Sequence, residues 1–345
     1  MSDKTYKYIV RLTPVGSYFF GGETTFGDGK NQNYLVRSCI LPQVSAVLGV
    51  LRYEILRRNN LLETGAENDA ENKKNWPKYI GEPFRIESPA ASYGQILEIS
   101  PIFIEKDGVL FTPCPADLGY EVKFGNDEKV SYFGEEIPQP LIIKQGTNTF
   151  CDFKHYDNWK KWIGTDGNTI ETIDADEIFI NDERVGINKL DGSPDRDKAY
   201  FEQTQIRLKD GYHFCFSVTT SEKFDDQPVF VQMGGNRSVF KMELESADVD
   251  LVEKFRKVLH RNGRLLLLGD AWIKSEERDN YSFIWGERIV NRYISNIHKW
   301  NGNRSKINLY HLLGRGSVIY ANDEKLNELM KKDDNLSKVG LNIFI

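Results

Sequence analysis

The stretch Leu41-Pro42-Gln43-Val44-Ser45-Ala46-Val47-Leu48-Gly49-Val50-Leu51-Arg52-Tyr53-Glu54-Ile55 decides the fold class. Its residues Val44, Val47, Leu48, Leu51 and Ile55 recur at helical spacing, so one apolar stripe can face a core. Pro42 suits the entry, because the first turn of a helix leaves its N–H groups unpaired in any case. The spacing predicts an amphipathic helix to about Asn59. Upstream, Tyr6–Leu12 alternates loosely and stops at Thr13-Pro14, which predicts a strand. Between them lie a loop crowded with glycine and aromatics, 16–29, and a second apolar run, Tyr34–Leu41. Downstream, Ile96–Ile99, Ile102–Ile104, Val109–Phe111, Pro140–Ile143, Ile178–Ile180 and Tyr212–Val218 read as short strands, set off by turns such as Asp107-Gly108. Asp248–Arg261, before the helix-stopping Gly263, and Asp323–Lys331 predict two more helices, and Leu341–Ile345 reads as a final strand. Strands broken by a few helices, without regular strand–helix alternation, predict an α+β architecture.

A length of 345 residues predicts two domains, 1–150 and 151–345. With 40% hydrophobic residues each can bury a core, and a charged fraction of 28% is that of a globular chain. Residues near 60–76 are polar and lack apolar periodicity, which predicts an exposed insertion compatible with disorder. A net charge of -6 excludes a protein that coats nucleic acid indiscriminately, so any RNA must meet a local basic surface. Cys39, Cys114, Cys151 and Cys215 form no paired spacing, which argues for reduced thiols and against a zinc site. No apolar run approaches the roughly 20 residues that span a bilayer, and the start Met1-Ser2-Asp3-Lys4 has no signal layout. The expectation is a cytoplasmic protein with no membrane partner.

A search for catalytic machinery returns nothing specific. Gly29-Lys30 fails as a phosphate loop, because Thr24 stands where a glycine is needed and Asn31 where a magnesium-holding hydroxyl is needed. His155, His213, His260, His298 and His311 are scattered singly, with no metal-ligand spacing. No metal, cofactor or catalytic residue is therefore expected.

Four segments combine glycine with a cation. Glycine lets the main chain approach a phosphate closely, and arginine supplies a planar fork for its oxygens. The first is Gly21-Gly22, with Arg37 and the helix carrying Ser45 and Arg52 downstream. The second is Arg184 and Gly186 within Glu183-Arg184-Val185-Gly186-Ile187, followed by a polar stretch that includes Arg196. The third is Gly234-Gly235 with Arg237, and the fourth is Gly314-Arg315-Gly316. Each by itself also reads as a turn. The basic run Lys254, Arg256, Lys257 and Arg261 reads as a second basic surface or as a solvated helix face.

The order of these segments resembles the RAMP superfamily, and within it the subunit that caps the crRNA 5′ tag in type III-B CRISPR (Cmr) effector complexes. The resemblance runs through Leu41–Arg52, Phe111-Thr112-Pro113-Cys114-Pro115-Ala116-Asp117-Leu118, Glu183–Ile187 with Tyr200-Phe201, Met233-Gly234-Gly235 with Arg237, and Val339-Gly340-Leu341-Asn342. Departures are the single Pro42, Val50 in place of alanine, Glu202-Gln203 in place of an acidic–glycine step, and Leu341 in place of an aromatic. The resemblance implies two ferredoxin-like (RRM-like) domains with β-hairpin and loop insertions, including a mobile hairpin near 185–207. It implies a non-catalytic subunit that holds the crRNA 5′ tag. Its partners would be the large polymerase/cyclase-type Cmr subunit and the neighbouring RAMP backbone subunit, with target RNA contacted indirectly. A RAMP-type, metal-independent endoribonuclease remains the alternative.

Overall fold

The computed structural model describes residues 4–21, 35–62, 68–87, 89–90, 92–132, 135–145, 148–150, 160–187, 200–273, 283–294, 307–321, 323–331 and 335–345. In chain order the elements begin β1 (Tyr6–Pro14), β2 (Leu35–Arg37), α1 (Val44–Arg58), α2 (Asn68–Ile80), β3 (Ile96–Ile99), β4 (Phe103–Lys106) and β5 (Val109–Pro113). There follow β6 (Tyr120–Tyr132), β7 (Glu135–Gln145), β8 (Asn148–Phe150), β9 (Lys161–Thr165), β10 (Ile170–Asp174), β11 (Phe179–Ile187) and β12 (Tyr200–Leu208). Next come β13 (His213–Thr220), β14 (Val229–Gln232), β15 (Val239–Ser246), α3 (Leu251–Leu259), β16 (Arg264–Leu266) and β17 (Phe283–Trp285). The chain closes with β18 (Arg288–Ile294), β19 (Ile307–Leu313), β20 (Val318–Tyr320) and α4 (Asp323–Lys331). Strands outnumber helices and build large antiparallel sheets, so the α+β class expected from the sequence is the one observed.

The chain forms two compact units, each discontinuous in sequence. One comprises Met1–Ile102, Asp176–Val249 and Val290–Tyr310; the other comprises Phe103–Ala175, Asp250–Ile289 and His311–Ile345. A single cut after residue 150 therefore falls inside a segment of the second unit.

In the first unit, β1 lies at the centre of the antiparallel order β3–β13–β1–β15–β14. Its alternation buries Tyr8, Val10 and Leu12. The helical stripe of α1 is buried as its spacing predicts, at Val44, Val47, Leu48, Leu51 and Ile55. Glu54 is buried with them and is held by Arg57 at 2.8 Å, which compensates a carboxylate taken out of water. The glycine-and-aromatic loop contributes Tyr18 and Phe20 to an aromatic core with Phe214 and Phe240, with centroids 4.7–6.2 Å apart. A second sheet of this unit runs β11–β12–β2, in which β2 lies parallel to β12.

The expected polar insertion is exposed at residues 73–75, as its composition predicts, yet it is not all loop. Its second half is the helix α2, whose Trp76 indole donates to the Leu61 carbonyl at 3.3 Å. Anchoring at one aromatic supplies what the missing apolar period could not.

In the second unit, β4–β5–β9–β10 form an antiparallel run, and α3 packs Phe255 on Phe103 at a centroid distance of 4.9 Å. The N-cap of α3 is Asp250, whose carboxylate accepts from the Val252 and Glu253 amides. A smaller sheet runs β16–β20–β17, and the chain end joins its free side: Leu266 and Ile345 exchange backbone hydrogen bonds at 2.8 and 2.9 Å. Asp117, Arg264 and Tyr320 form a buried polar cluster here, with Asp117 accepting from Arg264 at 2.7 Å and from Tyr320 at 2.6 Å.

Candidate nucleic-acid interface

The site grows from the edge where β12 meets β2. Parallel pairing sets Gln203 beside Val36 and Thr204 beside Arg37, and the Ser38 amide continues the ladder to the Thr204 carbonyl. Further along β12, Ile206 exchanges backbone hydrogen bonds with Tyr18 at 2.7 and 3.0 Å. Burial of the Tyr18 ring fixes this segment, its hydroxyl donates to the Ile40 carbonyl, and desolvation raises its pKa well above the usual phenol range.

The turn between β14 and β15 closes onto the same segment. The Gly235 amide donates to the Phe19 carbonyl at 2.7 Å, and the Phe19 amide donates to the Ser238 hydroxyl. At Gly234, φ is +82° and a Cβ would stand 2.5 Å from the Phe19 carbonyl oxygen, so only glycine fits. Gly234→Ala is expected to lower stability by about 2 kcal/mol, measured by urea unfolding. An unchanged unfolding midpoint would show that the segment can move aside. Asn236 and Arg237 both have left-handed φ, 56° and 53°, and the Ser238 amide donates to the Gly235 carbonyl at 3.2 Å. This is a type I′ turn with arginine where glycine is ordinarily favoured.

Three of the four glycine–cation segments thus meet around the base of the β11–β12 hairpin. Arg37 and Arg237 are exposed there, and neither forms an ion pair among the described residues. Gly21 is exposed with open space around it, and Gly186 pairs with Phe201 in the hairpin ladder. Arg184 bonds Asp182 at 2.9 Å; the Ser17 hydroxyl also donates to Asp182, and these two partners hold its carboxyl below the usual range. Gly22 and residues 188–199, Arg196 among them, lie outside the described residues.

Other expected residues are partly or wholly buried. Ser45 is half-buried near the start of α1. Arg52 donates to the Glu82 carbonyl and lies 5.6 Å from the Tyr93 ring, and burial lowers the pKa of its guanidinium. In the second unit, Gly314 and Gly316 are buried and Arg315 pairs with Asp270 at 3.2 Å. The amides of residues 314–317 donate to Glu287, Asp270, Leu267 and Gly314, so the main-chain donors of this turn already have protein acceptors.

The sequence reading passed over three amides at the site: Gln203, Gln205 and Asn236. The signal available was the Gln203-Thr204-Gln205 alternation, which sets both glutamines on one face of a strand. Among the described residues no cluster of three or more His, Cys, Asp or Glu side chains could hold a metal ion. No helix there is long and apolar enough to cross a membrane.

A family model described as CRISPR-associated protein (Cas_Cmr3) matches residues 10–338. Among solved structures, the chain is similar to one in the cryo-EM structure of the type III-B Cmr-beta bound to cognate target RNA and AMPPnP, state 1. That match has a TM-score of 0.52 and 14% identity, covering 98% of this chain and 96% of the other. A chain in the structure of the type III-B Cmr-beta bound to cognate target RNA matches with a TM-score of 0.52 and 15% identity, over 98% and 96% of the two chains. These two likenesses show a shared fold. No curated protein sequence matches the chain.

Proposed function

The chain belongs to the CRISPR-associated protein (Cas_Cmr3) family, RAMP-type subunits of type III-B Cmr effectors, and from that premise we propose that it holds the 5′ repeat-derived tag of the crRNA without itself catalysing a reaction. In antiviral defence it would dock against the large polymerase/cyclase-type subunit and a neighbouring RAMP backbone subunit, and reach target RNA only through the assembly. The observation that carries the reading is the meeting of three glycine–cation segments, with exposed Arg37 and Arg237, around one hairpin of an acidic protein. A single RNA strand held by a few forks and main-chain groups needs only such a local surface.

The units are read as ferredoxin-like cores. In the first, the antiparallel order β3–β13–β1–β15 with α1 after β1 supports this. In the second, β17–β20–β16 plus the chain end, with α4 between β20 and that end, repeats the same order. The β11–β12 hairpin would then reach along the guide.

The test is binding of the purified protein to single-stranded RNA with and without the tag, across a salt series. Tight, tag-dependent binding is expected. Arg37→Ala should weaken it several-fold and lower the slope of log affinity against log salt by about one. Equal affinity for tagless RNA, or an Arg37→Ala slope matching the unmodified protein, would remove the reading.

A further inference from the structure

Gln203 and Gln205 are only 6% and 4% exposed, yet both carry amides that need partners. Their hydrogen bonds converge on one atom. The Asn236 Nδ2 donates to Gln203 Oε1 at 2.6 Å, and Gln205 Nε2 donates to the same oxygen at 3.0 Å. That leaves a donor, Gln203 Nε2, and an acceptor, Gln205 Oε1, without a hydrogen bond among the described residues, on two side chains that share one strand face. Neither atom is among the buried polar atoms left without a partner, so both reach the surface of an otherwise buried pair, where a ligand can meet them.

The neighbours do not complete it. Across the ladder Gln203 faces Arg184 and Gln205 faces Asp182. Those two charges bond each other, and Asp182 also accepts from Ser17. What remains is electrically neutral: amide donors and an amide acceptor, held by a left-handed Asn236 in a turn fastened to Phe19. Phosphate would need donors only. A donor together with an acceptor matches the hydrogen-bonding edge of a nucleobase, which amide side chains read in pairs. Exposed Arg237, next to Asn236, is placed to hold an adjoining phosphate, while Arg37, in register with Thr204, lies on the other face of the sheet.

We infer that Gln203 and Gln205 read one unstacked base of the bound RNA, with Asn236 as the residue that positions them. The inference rests on the RNA-binding reading above and deepens it from backbone grip to base choice.

The experiment measures affinity of the purified full chain for tag RNAs changed one base at a time. The unmodified protein should show one position where a base change costs about tenfold. Gln203→Met and Gln205→Met, similar in volume but unable to make these bonds, should flatten the profile at that position only. They should bind the preferred RNA about tenfold more weakly and the changed RNA as before. Asn236→Gly keeps the left-handed turn and should flatten the same position. Variants that unfold more easily but scale every RNA equally would assign the amides a structural role and overturn the inference. Tight tag binding with a flat profile in the unmodified protein would overturn it alone. Absence of tag binding would take the RNA-binding reading down with it.

Discussion

Replacing Asp117 by alanine is expected to lower the stability of the protein by about 3–5 kcal/mol, the cost of leaving a buried charge without its partner. Asp117 and Arg264 have side chains only 1% and 3% exposed, and their ion pair spans 2.7 Å. A second Arg264 nitrogen donates to the Leu259 carbonyl, and its Nε is buried without a partner. Burial lowers the pKa of that guanidinium, and the charge of Asp117 is the main influence opposing the shift. The Tyr320 hydroxyl donates to the other carboxylate oxygen, and its pKa is raised by desolvation and by the charge of Asp117, which keeps the phenol protonated as a donor. Alanine would orphan both partners. Asp117→Asn keeps an acceptor for Tyr320 and should fall between alanine and the unmodified protein. Urea unfolding measures the effect; an alanine variant within about 1 kcal/mol of the parent would mean that water or rearrangement compensates Arg264.

Arg237→Gly is expected to move stability and binding in opposite directions. A non-glycine residue at φ 53° carries strain of about 1 kcal/mol or more. Among the described residues Arg237 has no ion pair that offsets the strain. Glycine should therefore raise unfolding stability by about 1 kcal/mol, while loss of a charged donor to phosphate lowers RNA affinity about ten- to hundredfold. Arg237→Ala separates the two effects: it should lose affinity yet keep the strain, because alanine is no more at ease there than arginine. A glycine variant that binds tag RNA as tightly as the parent would show that the strained arginine serves something other than RNA.

Local pattern carried much of the architecture. The α1 stripe, the Asp323–Lys331 helix and the short strands at Ile96–Ile99 and Val109–Phe111 lie where periodicity and turn residues predict them. The helix expected over Asp248–Arg261 is shorter, Leu251–Leu259, because Asp250 caps it and its end bends away before Gly263. Helix α2 was illegible, since a polar helix has no apolar period to read.

The candidate site was legible in part and for a specific reason. Glycine followed by a cation marks where a backbone turns and a charge is available, so Gly234, Gly235 and Arg237 could be picked out. Whether that charge is available is a long-range matter. Arg315 looked like Arg237 in sequence, yet Asp270, 45 positions away, takes it up, as Asp117 takes up Arg264 across 147 positions. The sequence by itself determined the element types, the apolar faces and the short list of cations, because these follow from local spacing. Only the tertiary structure decided which cations stay exposed, which three segments meet, and that Gln203, Gln205 and Asn236 share one hydrogen-bonding oxygen. Such partnerships depend on which distant strands pair, and a buried polar group is defined by neighbours that local spacing does not encode.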